Sequence, residues 1–288
     1  MPIAANLYYF SHEPEDHAVK RKRPPLILIH GAGGNHLSWP PQIRRLADEK
    51  IYALDLPGHG QSEGMGKHSA DEYADDVIAF MKELKIRAAV IVGISMGSAI
   101  ALTLALKYPG KVLALGLFGG GAKLRVAQAI LETAGNPNTF ESAVDMINAG
   151  CFSANTPQSL LQLSKKQMME IRPPVLQGDF LACNEFDVVG QLEKLDLPTL
   201  IVCGAEDKMT PVKFSELLKS GIARSQLHIV ENAGHMVMLE QPDIVAELLK
   251  KFIDELPPRA KKTKKARIIH NGETAPVPHA DFPLTDSS

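Results

Sequence analysis

Short apolar runs that end in glycine, histidine or aspartate recur along the chain, and between them apolar residues return with helical spacing. Runs lacking polar alternation fit strands covered on both faces. They stand at 26–30, 51–55, 88–93, 112–118, 199–204 and 227–230, with an edge hairpin starting at Leu7-Tyr8-Tyr9-Phe10. Helical periodicity fills 37–48, 70–84, 98–108, 212–222 and 242–256. This alternation predicts a doubly wound α/β domain, with a mostly parallel sheet covered by helices on both faces.

Between 121 and 195 the rhythm stops, and short amphipathic helices are interrupted at Gly135-Asn136-Pro137, Asn155-Thr156-Pro157 and Pro173-Pro174. Residues such as Ile147, Phe152, Met168 and Phe180 give this stretch more apolar mass than a loop carries. The expected organisation is a core of 1–120 and 196–256, a helical cap at 121–195, and a flexible, basic, proline-containing tail at 257–288.

Composition narrows the class without naming a partner. A chain of 288 residues with 45% apolar and 22% charged residues and a formal charge of -2 has no bias toward nucleic acid or anionic membrane. No apolar stretch reaches the length of a membrane span, and residues 1–23 lack the apolar region of a secretory signal. The three cysteines are odd in number and show neither C-x-x-C spacing nor a neighbouring histidine cluster, which argues against a disulfide framework or zinc site and for a cytoplasmic protein. The histidines show no metal-ligand spacing, and Gly31-Ala32-Gly33-Gly34 lacks the lysine of a phosphate loop and the spacing of a dinucleotide fingerprint. Neither metal nor cofactor is expected.

The candidate chemistry starts at Gly93-Ile94-Ser95-Met96-Gly97. Such a pentapeptide arises by accident in roughly one chain in ten of this length, so its context decides. Here it lies between a predicted strand and a predicted helix, the setting of a nucleophile elbow. A serine hydroxyl needs a general base, and the base needs an orienting acid. Asp207 follows the strand at 199–204, with Glu206 beside it as the alternative acid, and His235 follows the strand at 227–230. Both fall at C-terminal strand ends, the edge where open α/β sheets place their sites.

Serine, acid and histidine in this order, with His30-Gly31-Ala32-Gly33-Gly34, the stretch from Asp55 to Ser62, and Gly234-His235-Met236, resemble the α/β-hydrolase fold superfamily from about 26 to 256. The resemblance implies Ser95 as nucleophile, His235 as base and Asp207 as orienting acid. It also implies an oxyanion hole built from the backbone N–H groups of Met96 and Ala32, with Gly33 in reserve. The chain departs from the three-glycine form of that loop, which weakens the case for tertiary-alcohol esters. Aspartate is the nucleophile of the superfamily's dehalogenases and epoxide hydrolases, so a serine points to carboxylic ester hydrolysis. The expected substrate is an ester of short to medium acyl chain, with an enol-lactone-like lactonase or a non-catalytic receptor as alternatives. Gly31 and Trp39 are candidate substrate contacts, and Lys123 and Arg125 are candidates to pair with a substrate carboxylate. Oligomeric state is not legible.

Overall fold

The computed structural model describes residues 2–14 and 23–256, and the expected tail at 257–288 lies outside them. In chain order the elements are β1 (Ile3–Ala4), β2 (Leu7–His12), β3 (Leu26–Ile29), α1 (Pro41–Arg44), β4 (Ile51–Leu54), α2 (Ala70–Glu83), β5 (Ala89–Ile94), α3 (Met96–Lys107) and β6 (Val112–Phe118). There follow α4 (Gln128–Thr133), α5 (Phe140–Cys151), α6 (Gln158–Met169), α7 (Pro173–Glu185), β7 (Thr199–Gly204), α8 (Val212–Gly221), β8 (Ser225–Val230), α9 (Val237–Glu240) and α10 (Pro242–Glu255).

The strands form one eight-stranded sheet in the order β1-β2-β4-β3-β5-β6-β7-β8. β3 to β8 run parallel, and β1 and β2 add an antiparallel edge. Alternation along β3 and β5 divides the core. Ile27, Ile29 and Ile91 face Tyr73, Val77 and Phe80 of α2 and the apolar side of α3. Leu26, Leu28, Val90 and Val92 face Trp39, Ile43 and the Val245, Leu249 and Phe252 stripe of α10. A strand sandwiched in this way has no solvent face, so its sequence reads as an unbroken apolar run.

Two proline pairs act at helix starts. Residues 37–48, expected as one helix, form a 3-10 turn at His36–Ser38 and the single turn of α1. Pro40 and Pro41 lack the N–H groups needed to continue a helix, but proline suits a first turn. Pro173-Pro174 likewise opens α7 rather than ending the element before it. Met96 and Gly97 belong to α3, two residues before the expected start, because Ser98 and Ala99 N–H already donate to Ser95 O.

Between β6 and β7 the chain leaves the sheet to form α4 to α7, which bury Ile130, Phe140, Val144, Ile147, Val175 and Leu176 in a cluster separate from the two sheet faces. After β3 the chain steps to one side of that strand for β4, then crosses to the other side for β5. The reversal leaves a crevice beyond the C-terminal ends of β3 and β5, where open sheets of this kind place ligands.

Candidate active site

Ser95 occupies that crevice. It follows β5 directly, caps α3, and has φ 55° and ψ -118°, in a region that residues other than glycine rarely adopt. The turn is held from beneath: Ser95 N–H donates to Phe118 O at 2.9 Å, and Ser98 Oγ donates to Gly93 O at 2.7 Å. A Cβ at Gly97 would collide with the Ile29 carbonyl oxygen, so the elbow rests on β3 only because that residue has no side chain.

His235 lies in the loop after β8, buried, with Nδ1 2.9 Å from Asp207 Oδ2. Asp207 is fixed in turn. Its Oδ1 accepts the N–H groups of Met209 at 2.9 Å and Thr210 at 2.8 Å, and its Oδ2 accepts the Thr210 hydroxyl at 2.9 Å. The Thr210 oxygen also lies 3.2 Å from His235 Nδ1. Burial alone would raise the Asp207 pKa, but the charge and hydrogen bond of His235 and the Thr210 donors outweigh it and hold the carboxyl below its ordinary value. Glu206 accepts Ala154 N–H at 3.1 Å.

Ser95 and His235 share the wall of a cavity of about 70 Å³. The loop Gly31–Gly34 forms one side, and Ile147, Met168, Phe180 and Met236 give it an apolar lining. Met96 is the first residue of α3, so its N–H has no partner inside the helix. Gly33 N–H is engaged by Asp179 Oδ2 at 2.8 Å, which leaves Ala32 as the candidate donor from this loop. Cys151 also reaches the cavity, but burial and the nearby Asp207 and Glu240 push its thiol up to about 12, so it stays protonated.

The profile of the Alpha/beta hydrolase family matches residues 26–248. The chain belongs to that family. Among alpha/beta hydrolases it is 29% identical over 246 residues to 3-oxoadipate enol-lactonase 2 of Acinetobacter baylyi, covering 80% of this chain and 90% of the relative. It is 28% identical over 256 residues to a pimeloyl-[acyl-carrier protein] methyl ester esterase of Neisseria meningitidis, covering 82% and 94%. A thermophilic esterase of solved structure superposes with a TM-score of 0.73 at 32% identity, covering 87% of this chain and 98% of that one.

Within this alpha/beta hydrolase, Gly31, Ala32, Ser95 and His235 meet at one cavity, and Asp207 stands behind His235. Trp39 does not join them. It is fully buried under the sheet with its ring edge-on to Phe118 at 5.8 Å, because the turn at His36–Ser38 directs it into the core rather than toward Ser95. Lys123 is paired with Asp187 and Arg125 is exposed; neither lines the cavity. Sequence reasoning passed over Thr210 and Asp179. An acid followed three residues later by threonine is a local signal for the first, and a single acid on the otherwise apolar face of α7 is a signal for the second. Among the described residues no helix is long and apolar enough to cross a membrane.

Proposed function

We propose that the protein is a carboxylic ester hydrolase that works through an acyl-enzyme on Ser95. The observation that carries this reading is a serine held at positive φ on a helix N-terminus, in one cavity with a histidine whose far nitrogen is held by a buried carboxylate. His235 takes the Ser95 proton as the hydroxyl attacks the acyl carbon and returns it to the leaving alkoxide. Asp207 keeps the Nδ1–H tautomer and stabilises the imidazolium. The N–H groups of Ala32 and Met96 receive the developing oxyanion, Met96 with the added field of the α3 N-terminus. In the second half-reaction His235 takes a proton from a water that attacks the acyl carbon, the bond to Ser95 Oγ breaks, and His235 returns the proton to that oxygen as the acid leaves.

The helices at 121–195 act as the cap and define the acyl site. Among the described residues, those lining the cavity include neither lysine nor arginine, so an acyl group bearing a free carboxylate would be buried there without a counter-charge. A neutral, short acyl group fits the apolar lining and small volume. The kinship with an enol-lactonase keeps a second reading open, ring opening of a neutral lactone on the same residues.

A panel of p-nitrophenyl acetate, butyrate, octanoate and mono-glutarate, run beside neutral lactones, tests the assignment. Highest kcat/KM is expected for acetate or butyrate, and a preference for the anionic ester would contradict the proposed acyl site. A higher kcat/KM for lactones would transfer the assignment to the second reading.

A further inference from the structure

Helix α7 places one acid, Asp179, directly over the loop between β3 and α1. The side chain is fully buried. Its Oδ2 accepts Gly33 N–H at 2.8 Å and stands 2.8 Å from His59 Nε2, and its Oδ1 accepts the Tyr73 hydroxyl at 2.5 Å. The other His59 nitrogen, Nδ1, donates to Pro57 O at 3.0 Å. With an acceptor facing each nitrogen, the ring satisfies both only as the imidazolium. Burial opposes that charge, but Asp179 outweighs burial and the His59 pKa is raised.

His30 behaves in the opposite way, with its ring centroid 4.8 Å from that of His59. Its Nδ1 donates to Gly31 O at 2.7 Å and its Nε2 accepts Leu56 N–H at 3.1 Å, an arrangement that requires the neutral ring. Burial, and then the positive charge of His59, hold it down at about 4. A buried imidazolium and carboxylate are therefore set beside a neutral imidazole, and the carboxylate and the neutral ring both bond to one short loop.

The backbone of that loop explains the arrangement. A trans peptide is planar, so the Gly31 carbonyl and the Ala32 N–H point in opposite directions from one rigid unit. His30 Nδ1 and Gly34 N–H fix that carbonyl, the latter at 3.1 Å. Asp179 fixes the next peptide through Gly33 N–H. Gly33 has φ +64°, and a Cβ there would lie 2.7 Å from Leu176 Cδ1, so α7 presses on the loop at its one left-handed residue. Stability alone is a weak reason for the charge pair, because replacing such pairs with apolar groups is often neutral.

We infer that Asp179, backed by His59, is a positioning residue that aims the Ala32 N–H at the oxyanion, so that the seating of α7 on the core completes the oxyanion hole. This rests on the ester hydrolase reading above. Asp179→Asn keeps the shape but removes the charge that holds His59 and Gly33 together.

The test is kcat per competent serine, with competent serines counted by end-point labelling with a fluorophosphonate so that loss of folded protein divides out. For Asp179→Asn, kcat per labelled serine on p-nitrophenyl butyrate should fall 10- to 100-fold with KM changed less than about 3-fold, a milder loss than deleting an oxyanion donor outright. His59→Gln reaches the same pair from the core side and should give the same split, including where Asp179→Asn yields no folded protein. Arg172→Gln loosens a different contact of α7, with the Gly64 carbonyl, and should stay within 2-fold of the parent.

Unchanged kcat per labelled serine in both Asp179→Asn and His59→Gln would overturn the inference while leaving the hydrolase reading intact. An equal loss in Arg172→Gln would overturn it in favour of general cap docking. A parent protein that neither labels nor turns over would remove the hydrolase reading and this inference together.

Discussion

Asp207 Oδ2 stands 2.9 Å from His235 Nδ1, and the two residues come from loops after neighbouring strands β7 and β8, 28 positions apart in the chain. The carboxylate thereby holds the Nδ1 side of the imidazole, so that on the ester hydrolase reading Nε2 is the nitrogen that serves Ser95. Asp207→Asn is expected to lower kcat by about 10³- to 10⁴-fold through the wrong tautomer, with the fold retained. Circular dichroism beside turnover checks this, and an unchanged rate would move the acid role elsewhere.

Thr210 contributes its hydroxyl to the same carboxylate oxygen. Thr210→Val keeps the shape and the backbone donor but removes one hydrogen bond to a charged group, worth about 1.5–3 kcal/mol at most. Turnover should fall roughly 3- to 30-fold. A rate equal to the parent's would show that the hydroxyl does not act on the carboxylate.

The close seating of the elbow on β3 makes Gly97 a sensitive position. An added methyl would meet the Ile29 carbonyl, which cannot rotate away because it belongs to the sheet. Gly97→Ala should cost on the order of 3 kcal/mol or more and lower Tm by several degrees. A melting curve matching the parent would mean that α3 can slide without penalty.

His59 and His30 give stability opposite dependences on pH. The folded pKa of His59 is raised, so its contribution is fully present below the unfolded value of about 6.5 and is lost as pH rises through the folded value. His30 titrates at about 4 in the fold, so between 6.5 and about 4 the unfolded chain takes up its proton first and stability declines as pH falls. Tm should therefore be highest near pH 6.5 and decline on both sides. His59→Gln should flatten the alkaline side and, by removing a charge that holds His30 down, also ease the decline on the acid side; a persisting alkaline decline would assign it to other groups.

Much of the fold is legible because buried parallel strands carry little but apolar residues. Ala89–Ile94 and Thr199–Gly204 are buried throughout and stand out without any tertiary information. Ser95 and Asp207 are legible as candidates because each sits in a glycine-marked turn just beyond such a strand, and His235 because it follows a glycine in the loop after the less buried β8. The short helix at Pro41–Arg44 is blurred in the sequence because apolar spacing continues past a proline pair that limits the helix. Trp39 lies near the candidate loop in sequence, yet only the path of the His36–Ser38 turn decides which side of the sheet it enters. The meeting of Asp179 with Gly33 spans 146 positions and depends on how α7 docks, which no local pattern encodes.

Intact-mass and peptide spectrometry after treatment with a fluorophosphonate decides whether Ser95 is the residue that becomes acylated. One adduct per chain is expected, carried on the peptide containing Ser95 and absent in Ser95→Ala, together with a burst of p-nitrophenol from a short-chain ester that the same substitution abolishes. No adduct and no burst from the parent chain, or an adduct that persists in Ser95→Ala, would contradict it.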